Sequence, residues 1–445
     1  MKQSYRVIPA ILDDHRLTLH PETAQRLGLS FRQVGFVRFG LRVVDVEWER
    51  SAEIEQDEIG LSITCIERLG LPIECPFELR VNGNELEFGP FIGILAAPSL
   101  DRLSEIVQNL GSYVHDYPSI HGSVLALALD SFDPDAQEVR GYLYHPETET
   151  WEPGTYGYPA SLFKRLGVSS NLRTHLQAAL PGRVFNDYLF DKWEMHRWLS
   201  QFSSLRPHLP DCRLYQKAQD VTQMLKQHPR VIVKPIRGSQ GKGVMLLTRE
   251  GKGYQVRQVQ DQDEQGERLA KLSELEAFLE DKLVPKQFLI QQALDLLEVD
   301  QHRIDFRSIV VKNGSGQWAN MALIAKIGTQ GSIVSNISQG GRAEPAAKTL
   351  KHSLHFPDDD VVAKMADMES LSLLAARRLE ECGVHAGNLG LDLALDREDR
   401  LWILEINNFN PNHTIAIDAG ERDLYYQIKH LNMMYAKRLA GFGEA

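Results

Sequence analysis

Two carboxylates and an amide stand close together in GNLGLDLALDREDRLWILEINNFNP, Gly387 to Pro411. Asp392 and Glu405 each lie inside an otherwise apolar, strand-like run, where an ionised group is costly unless it has a partner. The polar turn Arg397–Arg400 separates the runs. If it closes a hairpin with Asp396 opposite Leu401, counting back sets Asp392 opposite Glu405. Directly opposed side chains have Cβ atoms about 5 Å apart. Asn407, two residues beyond Glu405, shares their face. Like charges that close repel unless a cation lies between them. Hard oxygen donors so arranged suit Mg2+, with waters and phosphate oxygens completing its shell. The plain alternative is a surface hairpin with incidental acids.

A second stretch complements the first. In VIVKPIRGSQGKGVMLL, Val231 to Leu247, three glycines (Gly238, Gly241 and Gly243) separate two apolar runs. It is neither a Walker A loop nor a Rossmann fingerprint, since Gly243 leads into a strand-like VMLLT and not a helix. The glycines therefore sit at the tip of a strand–loop–strand hairpin. Such a tip can fold its backbone N–H groups over phosphates, because glycine tolerates positive φ and close approach. Lys234 precedes it and can reach an α- or β-phosphate as a point charge. A ligand-free hairpin would look the same. Beside a carboxylate–amide cluster suited to Mg2+, however, the two stretches together describe a nucleotide site. A protein kinase carries its lysine after the glycine loop. HRIDF, His302 to Phe306, looks like a kinase catalytic loop, but Val310 stands where its asparagine belongs and no Asp-Phe-Gly occurs.

Patterning along the chain supplies the scaffold for these residues. A chain of 445 residues predicts about three domains. Residues 1–90 read as a small β-rich domain of two similar halves, beginning at Leu17 and Ile59 and sharing Arg-Leu-Gly-Leu. In residues 91–185 buried strands such as FIGILAAPS and GSVLALALDS flank a helical stretch, as in an α/β unit with parallel strands. Trp151, Tyr156 and Tyr158, with Pro and Gly between them, read as a packed loop. Residues 186–445 hold the chemistry. Asp191 is an N-cap candidate, residues 250–267 an exposed hairpin or loop, and MADMESLSLLAARRLEECG a helix ended by Gly383. The net charge of −11 argues against a general nucleic-acid binder. The four cysteines form no C-x-x-C, so free thiols in a reducing compartment are expected. The N-terminus lacks a signal-peptide core. No apolar run reaches the about 18 residues of a membrane span. A cytoplasmic protein is expected, with no membrane partner.

Val-x-Lys-Pro before a glycine hairpin, an Asp-x-Arg strand and a closing Asp…Glu-x-Asn set together resemble the ATP-grasp superfamily. DYLFDKWEMHRWL, KPIRGSQGKGV, DFRSIVVKNGSGQW, IVSNISQGGRAE and LEINNFNPNHT resemble more narrowly the YheC/YheD family of endospore coat-associated proteins, over nearly the whole chain. The resemblance implies an α/β (α+β) ATP-grasp fold behind a β-rich domain and a pre-ATP-grasp domain, with ATP and Mg2+ as cofactors. It implies Lys192 and Lys234 as the nucleotide lysines and Gly238, Ser239, Gly241 and Gly243 as the phosphate flap. Gln291, Gln292, Ala293 and Leu294 become the adenine hinge, with Asp295 or Glu298 on the ribose. Arg307 faces transferred phosphate or substrate. Asp392, Glu405 and Asn407 become the metal ligands, Glu405 bridging two ions. Lys326 departs from the pattern, standing where members often carry arginine. It keeps the charge but loses bidentate recognition.

Each assignment has a bland counterpart. Lys192 could be an exposed helix lysine, Asp305 and Arg307 an ion pair on one strand face, and Asn336, Gln339, Gly340 and Gly341 a surface loop. His385 reads as a packed residue. The activity implied is ATP-dependent ligation of a carboxylate to an amine through an acylphosphate, catalysed by positioning and charge neutralisation. A spore-coat interaction protein that binds nucleotide with little turnover is the rival, and a small-molecule kinase on the same fold is a third reading.

Overall fold

The computed structural model describes residues 3–10, 15–29, 34–238, 242–260, 263–330, 340–408 and 410–443. They form four sheets, one of seven strands and three of six, counting the short Glu298–Val299 strand that pairs off the main path of the last.

The first sheet takes the N-terminal strands. Each of the two similar segments contributes a strand (Arg16–Leu19, Glu58–Ser62), a short helix (Pro21–Arg26, Ile63–Leu69) and an antiparallel hairpin (Gly35–Phe39 with Arg42–Arg50, Glu78–Asn82 with Glu85–Gly89). Apolar residues alternate inward along these strands, as at Val37 and Phe39.

The second sheet is mixed. Phe91–Ala97 lies between two parallel neighbours, Ser123–Asp133 and Ser161–Lys164. Buried on both faces, Phe91–Ala97 is a near-continuous apolar run. Thr150–Gly157 is its edge strand, paired with Glu138–His145. This corrects the packed loop expected around Trp151 and Tyr156. Pro153 and Gly154 argue against a central strand but are tolerated at an edge.

The third sheet is antiparallel and carries the glycine hairpin, Arg230–Pro235 with Met245–Glu250. Val231 and Val233 point into a core made with helices Ala218–Gln227 and Leu272–Lys282, which leaves Lys234 on the other face. Residues Gly253–Gln260 and Asp263–Leu269 pair as a hairpin beyond it.

The fourth sheet runs in the order Arg342–Pro345, Trp318–Gln330, His302–Lys312, Asn388–Leu395, Leu401–Asn407. One face buries Phe306, Val310, Leu391 and Leu393 under the long helix Asp358–Glu381. That helix begins a full two turns before Met365, on an acidic first turn of Asp358, Asp359 and Asp360, which suits a helix N-terminus. The other face buries Ile309 and Ile324 under Ile428 of the helix Arg422–Lys437. Among the described residues no helix is long and apolar enough to cross a membrane.

The closing turn of the last hairpin is built on Asp396. Its carboxylate is buried and accepts from the backbone N–H groups of Glu398 (3.0 Å) and Arg400 (2.9 Å), from Arg400 Nε (2.8 Å) and from Trp402 Nε1 (2.8 Å). Burial alone would raise its pKa, and these donors reverse that and hold it below the usual range. Asp396→Asn presents an amide to at least one of those donors. It is expected to lower stability by about 1–3 kcal/mol, read as a fall in the urea midpoint at unchanged m-value. Because the folded-state pKa is depressed, the wild-type advantage is full at neutral pH and disappears as the pH falls below about 4.

Candidate active site

The site lies on the face of the fourth sheet that the helix Arg422–Lys437 covers further along. Asp392 is paired with Glu405 across the last hairpin and with Arg307 across the neighbouring strand. Asp305 is paired with Lys326. These registers decide the ion pairs. Arg307 clamps Asp392 with two hydrogen bonds, Nε to Oδ1 at 2.7 Å and Nη2 to Oδ2 at 3.2 Å. Lys326 Nζ lies 2.6 Å from Asp305 Oδ1 and 3.0 Å from Asp392 Oδ1. Asp305 and Arg307 share a strand face, but each takes its close partner from a neighbouring strand. In place of the simple ion pair of the bland reading, the four charges form one cluster. Asn407 Nδ2 completes it, 3.4 Å from Asp392 Oδ2.

The hairpin reaches this register by an unexpected route. Leu401 pairs with Leu395, not with Asp396, and a bulge between Ile403 and Glu405 restores the opposition of Asp392 and Glu405. A bulge adds a residue to one strand and re-aims its neighbours. Here the added residue is Leu404, whose carbonyl accepts from Lys234 Nζ at 3.5 Å. The lysine of the third sheet thus meets the carboxylate hairpin of the fourth.

Lys192 joins them. It is the first residue of the helix Lys192–Leu199, set by a capping box in which Asp191 Oδ1 accepts from Glu194 N (2.9 Å) and Glu194 Oε2 accepts from Asp191 N (3.0 Å). Its ammonium lies 3.2 Å from Glu405 Oε1 and donates to the Gly238 carbonyl at 2.8 Å. With 13% of the side chain exposed, it is not the exposed helix lysine of the bland reading. Gly238 and Gly243 have φ of +134° and +72°, a region open to glycine. Ser239 and Gly241 lie outside the described residues, as do Asn336 and Gln339.

The remaining candidates are more loosely placed. Gln291 and Gln292 end the strand Phe288–Gln292, beside Ile232 and Val231. The N–H groups of Gln292 and Ala293 already donate to Asp211 O (2.8 Å) and Arg230 O (3.2 Å). Leu294 N–H is thus the better of these donors for a ligand. Asp295 is 60% exposed between Arg230 (3.4 Å) and Arg397 (3.6 Å). Glu298 faces Arg303 at 3.8 Å. His385 is packed, its Nε2 2.8 Å from Tyr435 Oη.

Charge follows from this geometry. Burial pushes the Asp392 carboxyl up, but Arg307 and Lys326 outweigh it and hold the group well below the carboxylate range. Burial pushes the Asp305 pKa up to about 7, with Lys326 opposing. Burial pushes the Lys234 ammonium down, with Glu405 opposing. A carboxyl raised in the fold binds its proton more tightly there than in the unfolded chain. The stability Asp305 contributes is therefore greatest below about pH 4 and is lost as pH rises towards 7. Asp305→Asn is expected to flatten the stability–pH curve across that window, as measured by urea titrations at stepped pH.

As donors, Asp392, Glu405 and Asn407 fit a hard divalent cation. They offer carboxylate and amide oxygens from one sheet face, and the flanking cations hold the Asp392 carboxyl well below the usual range. Among the described residues no group of three or more His, Cys, Asp or Glu side chains is placed to hold a metal ion.

Residues 182–439 match the family described as YheC/D like ATP-grasp. The chain belongs to this ATP-grasp family. The matched span holds every candidate residue above. The endospore coat-associated protein YheD of Bacillus subtilis (strain 168) is 24% identical over 434 residues, 92% of each chain. YheC of the same organism is 24% identical over 285 residues, covering 62% of this chain and 77% of its own. Similarity to solved structures includes the ATP-grasp ligase PsnB (12% identity, 78% of this chain and 100% of that one, TM-score 0.45). It also includes the D-alanine-D-alanine ligase of Coxiella burnetii (10% identity, 78% and 96%, TM-score 0.43).

Proposed function

We propose that the protein binds Mg-ATP between its third and fourth sheets and uses it to activate a carboxylate for ligation to an amine. The observation that carries this reading is the convergence of Lys192, Lys234, Arg307 and Lys326 on Asp392, Glu405 and Asn407 from different sheets and a helix N-terminus. Such an arrangement has little use in a coat scaffold. It has the parts that phosphoryl transfer needs, since that reaction is catalysed mainly by positioning and by charge neutralisation.

In this account Lys234 and Lys192 bind phosphate oxygens, and the glycine hairpin covers them. Asp392, Glu405 and Asn407 hold Mg2+, which neutralises charge on the phosphates when bound. Leu294 and its neighbours receive the adenine, and Asp295 or Glu298 the ribose. Arg307 releases part of its clamp on Asp392 to face the transferred group, with Lys326 behind it. The substrate carboxylate oxygen attacks the γ-phosphorus, the bond to the β-phosphate oxygen breaks, and ADP leaves. The amine nitrogen then attacks the acyl carbon, phosphate departs, and the amine proton passes to solvent. No side chain is required as a covalent nucleophile.

The curated relatives are described as endospore coat-associated, which supports work on, or attachment to, the spore coat, with coat proteins as partners. Incubating the protein with Mg-ATP, hydroxylamine and panels of carboxylic acids tests the chemistry. ADP together with a hydroxamate reports an acylphosphate. ADP with a stable phosphorylated product and no hydroxamate would mean a kinase. No ADP with any acid, from protein that binds Mg-ATP, would favour the nucleotide-binding coat protein.

A further inference from the structure

Among the described residues two cations beside the proposed site, Arg165 and Lys429, have no carboxylate in ion-pair contact. Arg165 follows the strand Ser161–Lys164 directly. Its Nε donates to Asn410 Oδ1 at 3.2 Å, and its guanidinium sits 5.1 Å from the Tyr113 ring centroid. Lys429, on the helix Arg422–Lys437, is buried, donates to Tyr113 Oη at 2.8 Å and lies 4.3 Å from the same centroid. Among the described residues neither cation ion-pairs with a carboxylate. Arg307 and Lys326 nearby are both matched. A buried ammonium whose polar contact is a phenol oxygen, with no carboxylate beside it among the described residues, is weakly matched. Tyr113 registers the surplus charge: burial would raise its pKa, yet Arg165 and Lys429 bring it down.

His413 gives a second, independent sign. It is 2% exposed, and among the described residues neither ring nitrogen has a hydrogen-bond partner. Buried polar groups are rarely left so. Burial, with Lys429, Arg165 and Arg307 around it, keeps the imidazole neutral, so it has one N–H to donate. The loop that bears it rests on the proposed site. Pro411 and Arg307 both crowd the open side of Gly390, two residues before Asp392.

The place in the fold also suits a ligand. Phe91–Ala97 is followed by Ser123–Asp133 on one side and flanked by Ser161–Lys164 on the other. The helical segment after Phe91–Ala97 and the helix Ser170–Ala179, which leads from Ser161–Lys164 to Val184–Phe185, pack on opposite faces, with Leu103 and Val107 in one core and Leu176 in the other. That is a topological switch point, and Arg165 stands at the carboxyl end of its strand, where open α/β sheets bind ligands.

We propose that Arg165, Lys429 and His413 form a subsite for an oxyanion, a carboxylate or a phosphate group carried by the substrate, next to Arg307. The guanidinium and ammonium supply charge-assisted hydrogen bonds, and the imidazole supplies one N–H. The substrate is then an acid with a second anionic group held away from the reacting carboxylate. That role rests on the ligase reading, while the subsite itself does not.

The test is calorimetric titration of the full chain at constant ionic strength with two probes, succinate and inorganic phosphate. Each is run on nucleotide-free protein and on protein saturated with a non-hydrolysable Mg-ATP analogue. Saturable binding of either probe is expected, and which one binds identifies the group. Arg165→Gln and Lys429→Met are each expected to weaken it by about tenfold or more. In 15N-histidine spectra of the wild type, the His413 resonance, assigned through His413→Gln, should move on saturation. That readout stands even if a variant fails to fold. Absence of binding by both probes, equal binding by folded variants, or an unmoved His413 signal would overturn the subsite. If the probes bind as expected while no acid yields ADP, the subsite stands and the ligase reading falls.

Discussion

Glu405→Gln is expected to fold like the wild type and to lose Mg-ATP affinity by about a hundredfold or more. Residues that merely orient a metal ligand already cost about 10–100-fold when changed, and Glu405 is proposed as a ligand itself. The cost to the fold should be small. Glu405 is 27% exposed and its ion pair is with Lys192 at 3.2 Å. Glutamine keeps the side-chain length and an oxygen that can accept from the Lys192 ammonium. Asp392 is different. Its removal takes the clamping carboxylate from Arg307 and one of two close carboxylates from Lys326. Breaking a buried pair by deleting one partner costs about 3–5 kcal/mol. Asp392→Ala should therefore lose both binding and stability, so it tests the site less cleanly than Glu405→Gln. Urea titrations beside nucleotide titrations separate the two effects.

Lys234→Met is expected to weaken Mg-ATP binding by about tenfold to a hundredfold while raising the stability of the nucleotide-free protein by about 1 kcal/mol. Among the described residues Lys234 has no carboxylate in ion-pair contact. Its one hydrogen bond there is the 3.5 Å contact with the Leu404 carbonyl, and burial lowers its pKa. A half-buried cation so weakly matched is a cost to the nucleotide-free protein, and an apolar chain of similar length removes that cost. Thermal unfolding with and without Mg-ATP reads both halves. A higher midpoint without nucleotide, and a smaller shift on adding it, is the expected pattern. A purely structural lysine would give the reverse.

What could be read from residue types alone was set by local rules. The opposition of Asp392 and Glu405 follows from a hairpin and a period of two. The hairpin at Val231–Leu247 and the helix ended by Gly383 are equally local. The route to the Asp392 register was not legible, because a bulge at Leu404 and a turn one residue longer at Asp396 cancel in the count. Neither leaves a mark on the polar–apolar pattern. The pairing of Asp305 with Lys326 needs the order of strands in the sheet. The strand at Trp151 was hidden by Pro153 and Gly154, which only an edge position permits. Lys192 carries no local signal beyond the N-cap before it; family resemblance marks it only as a nucleotide lysine, and its place beside Glu405 shows in the fold alone. Arg165, His413 and Lys429 come from three distant segments, and only the tertiary fold shows that they share an unbalanced positive field.

The most direct measurement is calorimetric titration of Mg-ATP into the wild type and into Glu405→Gln, with folding of both confirmed by urea denaturation. The account predicts saturable binding by the wild type that is abolished or sharply weakened in the variant. No binding by folded wild type, or equal binding by both, would contradict a nucleotide site built on the Asp392–Glu405 hairpin.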